Sequence, residues 1–198
     1  MQITTSTCIV GLVHEGVVYI GGDSLGSGGG SGTIYNNRKV FHISENKDII
    51  VGYTSSFRMG QLIQYSSDLF SGDDLALNRI DEKYLITTFI PNLQKLLKSG
   101  GYQEESNNVV TGGNFLIGYK DRLFEVQSDY SILEPECAYA CCGCGERFAL
   151  GSLYSTQNLI KDPIERIKLA LEAAANFSTG VSDPFYLVST KDLETTKL

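Results

Sequence analysis

Apolar and polar positions in the first third of the chain alternate in short runs separated by turn residues. Cys8–Val13 is apolar and rich in β-branched residues, His14-Glu15-Gly16 is a turn, and Val17–Ile20 is a second apolar run. That pattern predicts a hairpin. It ends at Gly21-Gly22-Asp23, where glycines allow a sharp exit. Further strands are expected at Thr33–Tyr35, Val40–Ile43 and Asp48–Tyr53, with a turn at Glu45-Asn46-Lys47. No helical pattern separates these runs, so they imply antiparallel sheet and not βαβ units.

The period then changes. Met59, Leu62, Ile63, Ser66 and Phe70 share one face of a helix, and a second helical block spans Ile80 to Lys98, with Pro91 expected to kink or divide it. Ser99-Gly100-Gly101 stops that block, and Gln103–Asn108 reads as a polar loop. Strands return at Phe115–Tyr119 and Leu123–Val126, joined by Lys120-Asp121-Arg122, and again near Ala138–Cys142. A third helix is expected over Arg147–Leu159. A fourth starts at Asp162, with Pro163 at its first position, a capping-box carboxylate at Glu165, and an apolar face of Ile164, Ile167, Leu171 and Ala174. Phe185–Val188 is a late strand and Lys191–Leu198 a polar tail. The order is strands, two helices, strands, two helices, strand. It predicts an α+β fold, a four-layer αββα sandwich of two antiparallel sheets between two helix layers.

The chain has 198 residues, enough for one domain. Hydrophobic residues are 42% and charged residues 20%, which fits a packed core and excludes a disordered chain. No apolar run reaches the roughly 18 residues of a membrane span. MQITTSTC has neither a basic n-region nor an apolar h-region, so a cytoplasmic location is expected. The net charge of −7 disfavours nucleic acid as a partner. Cys137, Cys141, Cys142 and Cys144 crowd together, with Cys8 distant. Their spacing lacks paired C-x2-C knuckles, and neighbouring strand residues face opposite ways. They read as reduced, mostly buried thiols, and no metal or cofactor is expected. GSGGGSG at Gly26–Gly32 lacks the G-K-[ST] ending of a phosphate loop and reads as a flexible loop. Tyr53, Phe57 and Tyr65 read as core or subunit contacts.

The stretch TCIVGLVHEGVVYIGGDSLGS, followed by NNRKVFHI, resembles the N-terminal half of proteasome β subunits and of the bacterial HslV peptidase. Those enzymes begin with a nucleophilic threonine, followed at intervals of sixteen residues by an aspartate and a lysine. Thr7, Asp23 and Lys39 reproduce both intervals. Downstream, GCGERFALGSL resembles the family's glycine-serine-glycine turn before a helix, with Cys144 in place of the serine. Ser178–Val181 resembles the segment before the last strand, with Ala175 where an aspartate is expected. The family's oxyanion glycine falls on Ser55, within Thr54-Ser55-Ser56. The resemblance thus names Thr7, Asp23, Lys39, Ser55, Cys144 and Ser178 as catalytic candidates.

The resemblance further implies a division into Met1–Ser6 as a propeptide-like segment, 7–190 as an N-terminal nucleophile hydrolase domain and 191–198 as the tail. Ser6 stands where a glycine commonly precedes the cleaved bond. The implied function is a threonine-type endopeptidase that works inside a homo-oligomeric ring after freeing Thr7 by autolysis. An ATP-dependent unfoldase would feed it peptide or unfolded protein.

The chemistry of the trio is coherent. A threonine hydroxyl needs an adjacent base, and a free α-amine with a pKa of about 7.7–8.0 suits that task. A nearby lysine ammonium lowers that pKa, and an aspartate balances the lysine. Two other classes remain open: an inactive proteasome-like ring subunit, and an N-terminal nucleophile amidohydrolase acting on a small amide. Taken singly, Thr7 also reads as a strand residue and Asp23 with Lys39 as an ordinary ion pair. Cys8 as nucleophile would break both intervals.

Overall fold

The computed structural model describes residues 4–28, 31–43, 48–71, 80–102, 104–106 and 109–198. Two five-stranded antiparallel sheets carry the architecture. The first has the order β14 (Tyr139–Gly143), β2 (Cys8–His14), β3 (Val17–Gly22), β15 (Tyr186–Ser189), β16 (Thr196–Lys197). The second runs β13 (Ile132–Leu133), β12 (Arg122–Val126), β11 (Phe115–Tyr119), β7 (Ile49–Tyr53), β6 (Val40–His42).

Alternation along the strands sorts the core into three apolar layers. Cys8, Val10 and Leu12 of β2 face the helices α3 (Glu146–Thr156) and α4 (Pro163–Phe177), together with Cys141. Ile9 lies between the sheets with Ile20, Ile50, Leu116 and Cys142. Val51, Phe115, Ile117 and Phe124 face α1 (Phe57–Gln64) and α2 (Ile90–Ser99). This is the expected αββα sandwich, and Cys141 and Cys142 do point to opposite faces.

Several elements differ from the sequence pattern. Leu25–Gly32, read as a flexible loop, contains β4 (Leu25–Gly28) and pairs with β5 (Ser31–Ile34). Backbone pairing satisfies this stretch where side-chain periodicity gives no signal. The second helical block is entered through Glu82–Tyr84 and a π-helical stretch, Leu85–Phe89. Pro91 stands directly after that π-helical stretch in an unbroken helical run, so the ladder lost at its missing N–H falls where the turn is already widened. Glu104–Ser106, expected in a polar loop, pairs as β9 with β10 (Val109–Thr111). The turn at Glu45-Asn46-Lys47 lies outside the described residues.

Asp162 caps α4 as expected, accepting the Ile164 N–H at 2.9 Å. Ile164 itself, expected on the buried face, is exposed, and Arg166 is buried instead. Its guanidinium donates to the Leu153 carbonyl at 2.9 Å, satisfying an acceptor in the last turn of α3. The polar tail is not free along its length, since Thr196–Lys197 adds a strand to β15. Tyr53 belongs to the core, whereas Tyr65 is exposed.

Candidate active site

The β2–β3 hairpin explains the first sixteen-residue interval. His14 pairs with Val17 at the turn and Ile9 with Gly22 at the open end. The next residues outward, Cys8 and Asp23, therefore meet. Asp23 N donates to the Cys8 carbonyl at 3.4 Å, and Cys8 N donates to Asp23 Oδ1 at 3.0 Å. Leu25 N donates to Asp23 Oδ2 at 3.1 Å, so backbone donors fix both carboxylate oxygens. The second interval carries the chain across to the other sheet. Lys39 precedes β6, and its carbonyl accepts the Tyr53 N–H at 3.0 Å. Stacking of the two sheets then brings its side chain to Asp23.

Lys39 Nζ has three oxygen acceptors: Asp23 Oδ1 at 2.9 Å, the Ser6 carbonyl at 2.9 Å and the Leu25 carbonyl at 2.5 Å. Three acceptors call for three protons, so the geometry is that of an ammonium. Both side chains of the Lys39–Asp23 pair are fully buried. Burial pushes the Asp23 carboxyl above its ordinary value and the Lys39 ammonium below, and their mutual attraction opposes both shifts.

Thr7 is fully buried, and its Oγ1 has no hydrogen-bond partner among the described residues. Its amide N–H donates to Cys144 Sγ at 3.3 Å, and its carbonyl accepts Gly145 N–H at 3.4 Å. Cys144 Sγ also lies 3.4 Å from the Thr7 carbonyl, 3.5 Å from the Gly180 carbonyl and 3.6 Å from Ser178 Oγ. The turn that carries Cys144 cannot hold a side chain at Gly143: φ there is +101°, and a Cβ would stand 2.2 Å from the Thr7 carbonyl oxygen. Ser178 caps α4 and accepts the Gly180 N–H at 3.3 Å, shaping the loop that faces Cys144. Ala175 packs against the helix-side core.

Thr4, Thr5 and Ser6, the described residues before Thr7, are seated in the fold. Thr4–Thr5 forms β1, which lies between β4 and β8 (Ser55–Ser56) and pairs antiparallel with both. Thr4 is opposite Ser27 on one side and Ser56 on the other, and Thr5 is opposite Ser55. The Ser6 hydroxyl meets that of Ser27, and a Cβ at Gly180 would stand 2.8 Å from Ser6 Cβ. Ser55 adopts φ +71°, the left-handed region that glycine normally serves.

All six residues singled out by sequence thus lie in one region. Thr7, Asp23 and Lys39 surround the Ser6–Thr7 bond. Cys144 and Ser178 flank the Thr7 backbone, and Ser55 borders the preceding strand. Sequence reasoning missed Ser27, Thr54, Asn114 and Gly180. Thr54 Oγ1 donates to the Asn114 carbonyl at 2.8 Å beside Ser55. The Gly112-Gly113 pair before Asn114 was the available signal, because close backbone approach requires it. Among the described residues no group of three or more His, Cys, Asp or Glu side chains is placed to hold a metal ion. No described helix is long and apolar enough to cross a membrane.

No protein-family model and no curated protein matches the chain. Solved structures do. The BPH protein of Thiobacillus denitrificans superposes with a TM-score of 0.76 at 21% identity, covering 92% of this chain and 96% of that one. The same protein in complex with epoxomicin gives 0.73 at 19% identity, covering 92% and 97%. HslV of Trypanosoma brucei gives 0.65 at 13% identity, covering 92% and 98%. At these identities the likeness speaks to architecture, and the chain carries the HslV/proteasome fold.

Proposed function

We propose that the chain is the uncut form of a threonine-type endopeptidase, with Thr7 as its nucleophile. One observation carries the reading. The lysine that pairs with Asp23 also donates to the carbonyl oxygen of Ser6, which belongs to the bond that must break to free Thr7.

Self-cleavage follows from that placement. Thr7 Oγ1, buried and unpartnered among the described residues, adds to the Ser6 carbonyl carbon. Negative charge develops on the oxygen that already faces the Lys39 ammonium. The hydroxyl proton passes to the Thr7 nitrogen as the C–N bond breaks, leaving Ser6 as an ester on Oγ1. Water hydrolyses the ester and releases Met1–Ser6 as a carboxylate. Thr7 then carries a free amine and a free hydroxyl. An amide nitrogen cannot act as a base, whereas the new amine can.

In the freed chain Lys39 loses its Ser6 acceptor and turns one N–H toward Thr7. Its charge lowers the pKa of the amine, which stays neutral and takes the hydroxyl proton during attack on a peptide carbonyl. The Ser55 backbone N–H receives the oxyanion, and the Thr7 amine hands its proton to the leaving amine. Antiparallel pairing of Thr4–Thr5 with β4 and β8 supports an extended peptide as substrate, because the same edges are open to another strand once the leader departs. We further propose assembly into a ring, with an ATP-driven unfoldase supplying unfolded chains, on the strength of the HslV-like architecture.

The test is hydrolysis of a set of fluorogenic peptides by the assembled chain, with Thr7→Ala alongside. The reading expects turnover by the wild type and none by the variant. Equal turnover by both would place the chemistry elsewhere. A chain that never exposes Thr7 would be a structural subunit of the same fold. One that turns over small amides and no peptides would be an amidohydrolase.

A further inference from the structure

Resting on the peptidase reading, in which the Ser55 N–H receives the oxyanion, we propose that Thr54 is a positioning residue whose hydroxyl locks Ser55 into its left-handed conformation. Ser55 has φ +71°, a region that L residues with a side chain avoid. Something must hold it there, and the hydrogen bonds identify what does.

Thr54 Oγ1 lies 2.8 Å from the Asn114 carbonyl, which can only accept, so the single Thr54 proton goes to it. Thr54 Oγ1 is then the acceptor in its 3.0 Å contact with Ser55 Oγ, and Ser55 donates. Ser55 Oγ in turn accepts the Asn114 N–H at 3.4 Å. The Thr54 N–H also donates to the Asn114 carbonyl at 3.0 Å, and the Ser56 N–H closes the turn on the Thr54 carbonyl at 2.8 Å. Thr54 is only 4% exposed, so water competes little for these bonds. Gly113 leaves the room they need: a Cβ there would stand 3.0 Å from Ser55 Cβ and 2.8 Å from Met59 Sδ.

The Ser55 hydroxyl is therefore occupied in both directions. It ties the turn to β11 through Asn114, the residue before that strand, and once Thr5 no longer pairs with Ser55 the Ser55 backbone N–H can serve the reaction. A glycine reaches the same dihedrals without help, but nothing holds it to them. The Thr54–Ser55–Asn114 ring gives a non-glycine residue a fixed direction for its N–H.

The test uses the assembled, self-processed protein and compares Thr54→Val, which keeps the shape, with Thr54→Ser, which keeps the hydroxyl. Two readouts are taken: kcat and KM on a fluorogenic peptide, and hydrogen exchange of the Asn114 amide. In Thr54→Val we expect kcat to fall about tenfold or more with KM nearly unchanged. The Asn114 amide should exchange faster, and Thr54→Ser should restore both. Ser55→Ala, which removes the tie from the other end, should lose kcat in the same way if Thr54→Val does not fold. Wild-type kcat in Thr54→Val, with an active wild type, overturns the inference alone. Unchanged exchange at Asn114 also overturns it. A wild type that cleaves no peptide, while exchange at Asn114 still responds, overturns the peptidase reading and reduces the ring of bonds to a fold contact.

Discussion

Lys39 Nζ lies 2.9 Å from the carbonyl oxygen of Ser6, the same distance that separates it from Asp23 Oδ1. The lysine thus belongs at once to a buried ion pair and to the peptide bond ahead of Thr7. These two attachments can be separated by mutation. Lys39→Met leaves the buried Asp23 carboxylate with its backbone donors but no counter-charge, which should cost about 3–5 kcal/mol and lower the unfolding temperature. Adding Asp23→Asn removes the stranded charge and should recover part of that stability, because its amide NH2 must then face one of the two backbone donors, Cys8 N–H or Leu25 N–H. Neither protein should cut its leader. Thermal unfolding with intact mass checks both halves. A Lys39→Met chain that processes normally would remove Lys39 from the reaction.

Ser6 sits where little more than a hydroxyl fits. A Cβ at Gly180 would stand 2.8 Å from the Ser6 Cβ, and the Ser6 hydroxyl meets Ser27. Ser6→Gly should therefore still be cleaved. Ser6→Phe must shift the scissile carbonyl off Lys39, and a shift of about 1 Å is enough to slow the step by about 100-fold. The processed fraction against time measures this directly. Equal rates for the two variants would mean that the leader is not held as described.

Gly143 is the narrowest backbone requirement at the site. Its φ is +101°, and a Cβ there would collide with the Thr7 carbonyl oxygen, so no side chain fits. Gly143→Ala should lose about 1–3 kcal/mol through strain and displace Thr7, abolishing processing. Unfolding in denaturant, paired with intact mass, reports both effects.

Much of this arrangement was legible in the sequence, and the reasons are local. The Thr7–Asp23 interval is a hairpin: apolar alternation and the Glu15-Gly16 turn fix the register that sets Asp23 opposite Cys8. The four layers followed from strands and helices arriving in blocks. What escaped notice depended on backbone pairing or tertiary placement. Leu25–Gly28 has few side chains to show a strand period, yet β4 pairs with β1, and its partner β5 was anticipated only in its second half, from Thr33. Arg166 reads as a solvated charge until the end of α3 comes to meet it. The Thr54–Asn114 bond joins residues sixty apart, and no spacing announces it.

The five cysteines should divide sharply by reactivity. Cys8, Cys141 and Cys142 are buried, and burial pushes their thiols well up from the ordinary range. Cys137 and Cys144 are exposed. A disulfide reagent at mildly alkaline pH should titrate two thiols quickly in the native protein and all five after denaturation. Rapid reaction of a third native thiol would contradict the helix-side packing of Cys8 and Cys141 or the inter-sheet packing of Cys142.

The most direct test of the central claim is the intact mass of the assembled protein, wild type beside Thr7→Ala. Self-cleavage by Thr7 gives a wild-type chain that begins at Thr7 and a variant that keeps Met1–Ser6. Wild-type protein that retains all six leading residues after assembly would contradict it, and so would a Thr7→Ala chain cut at the same bond.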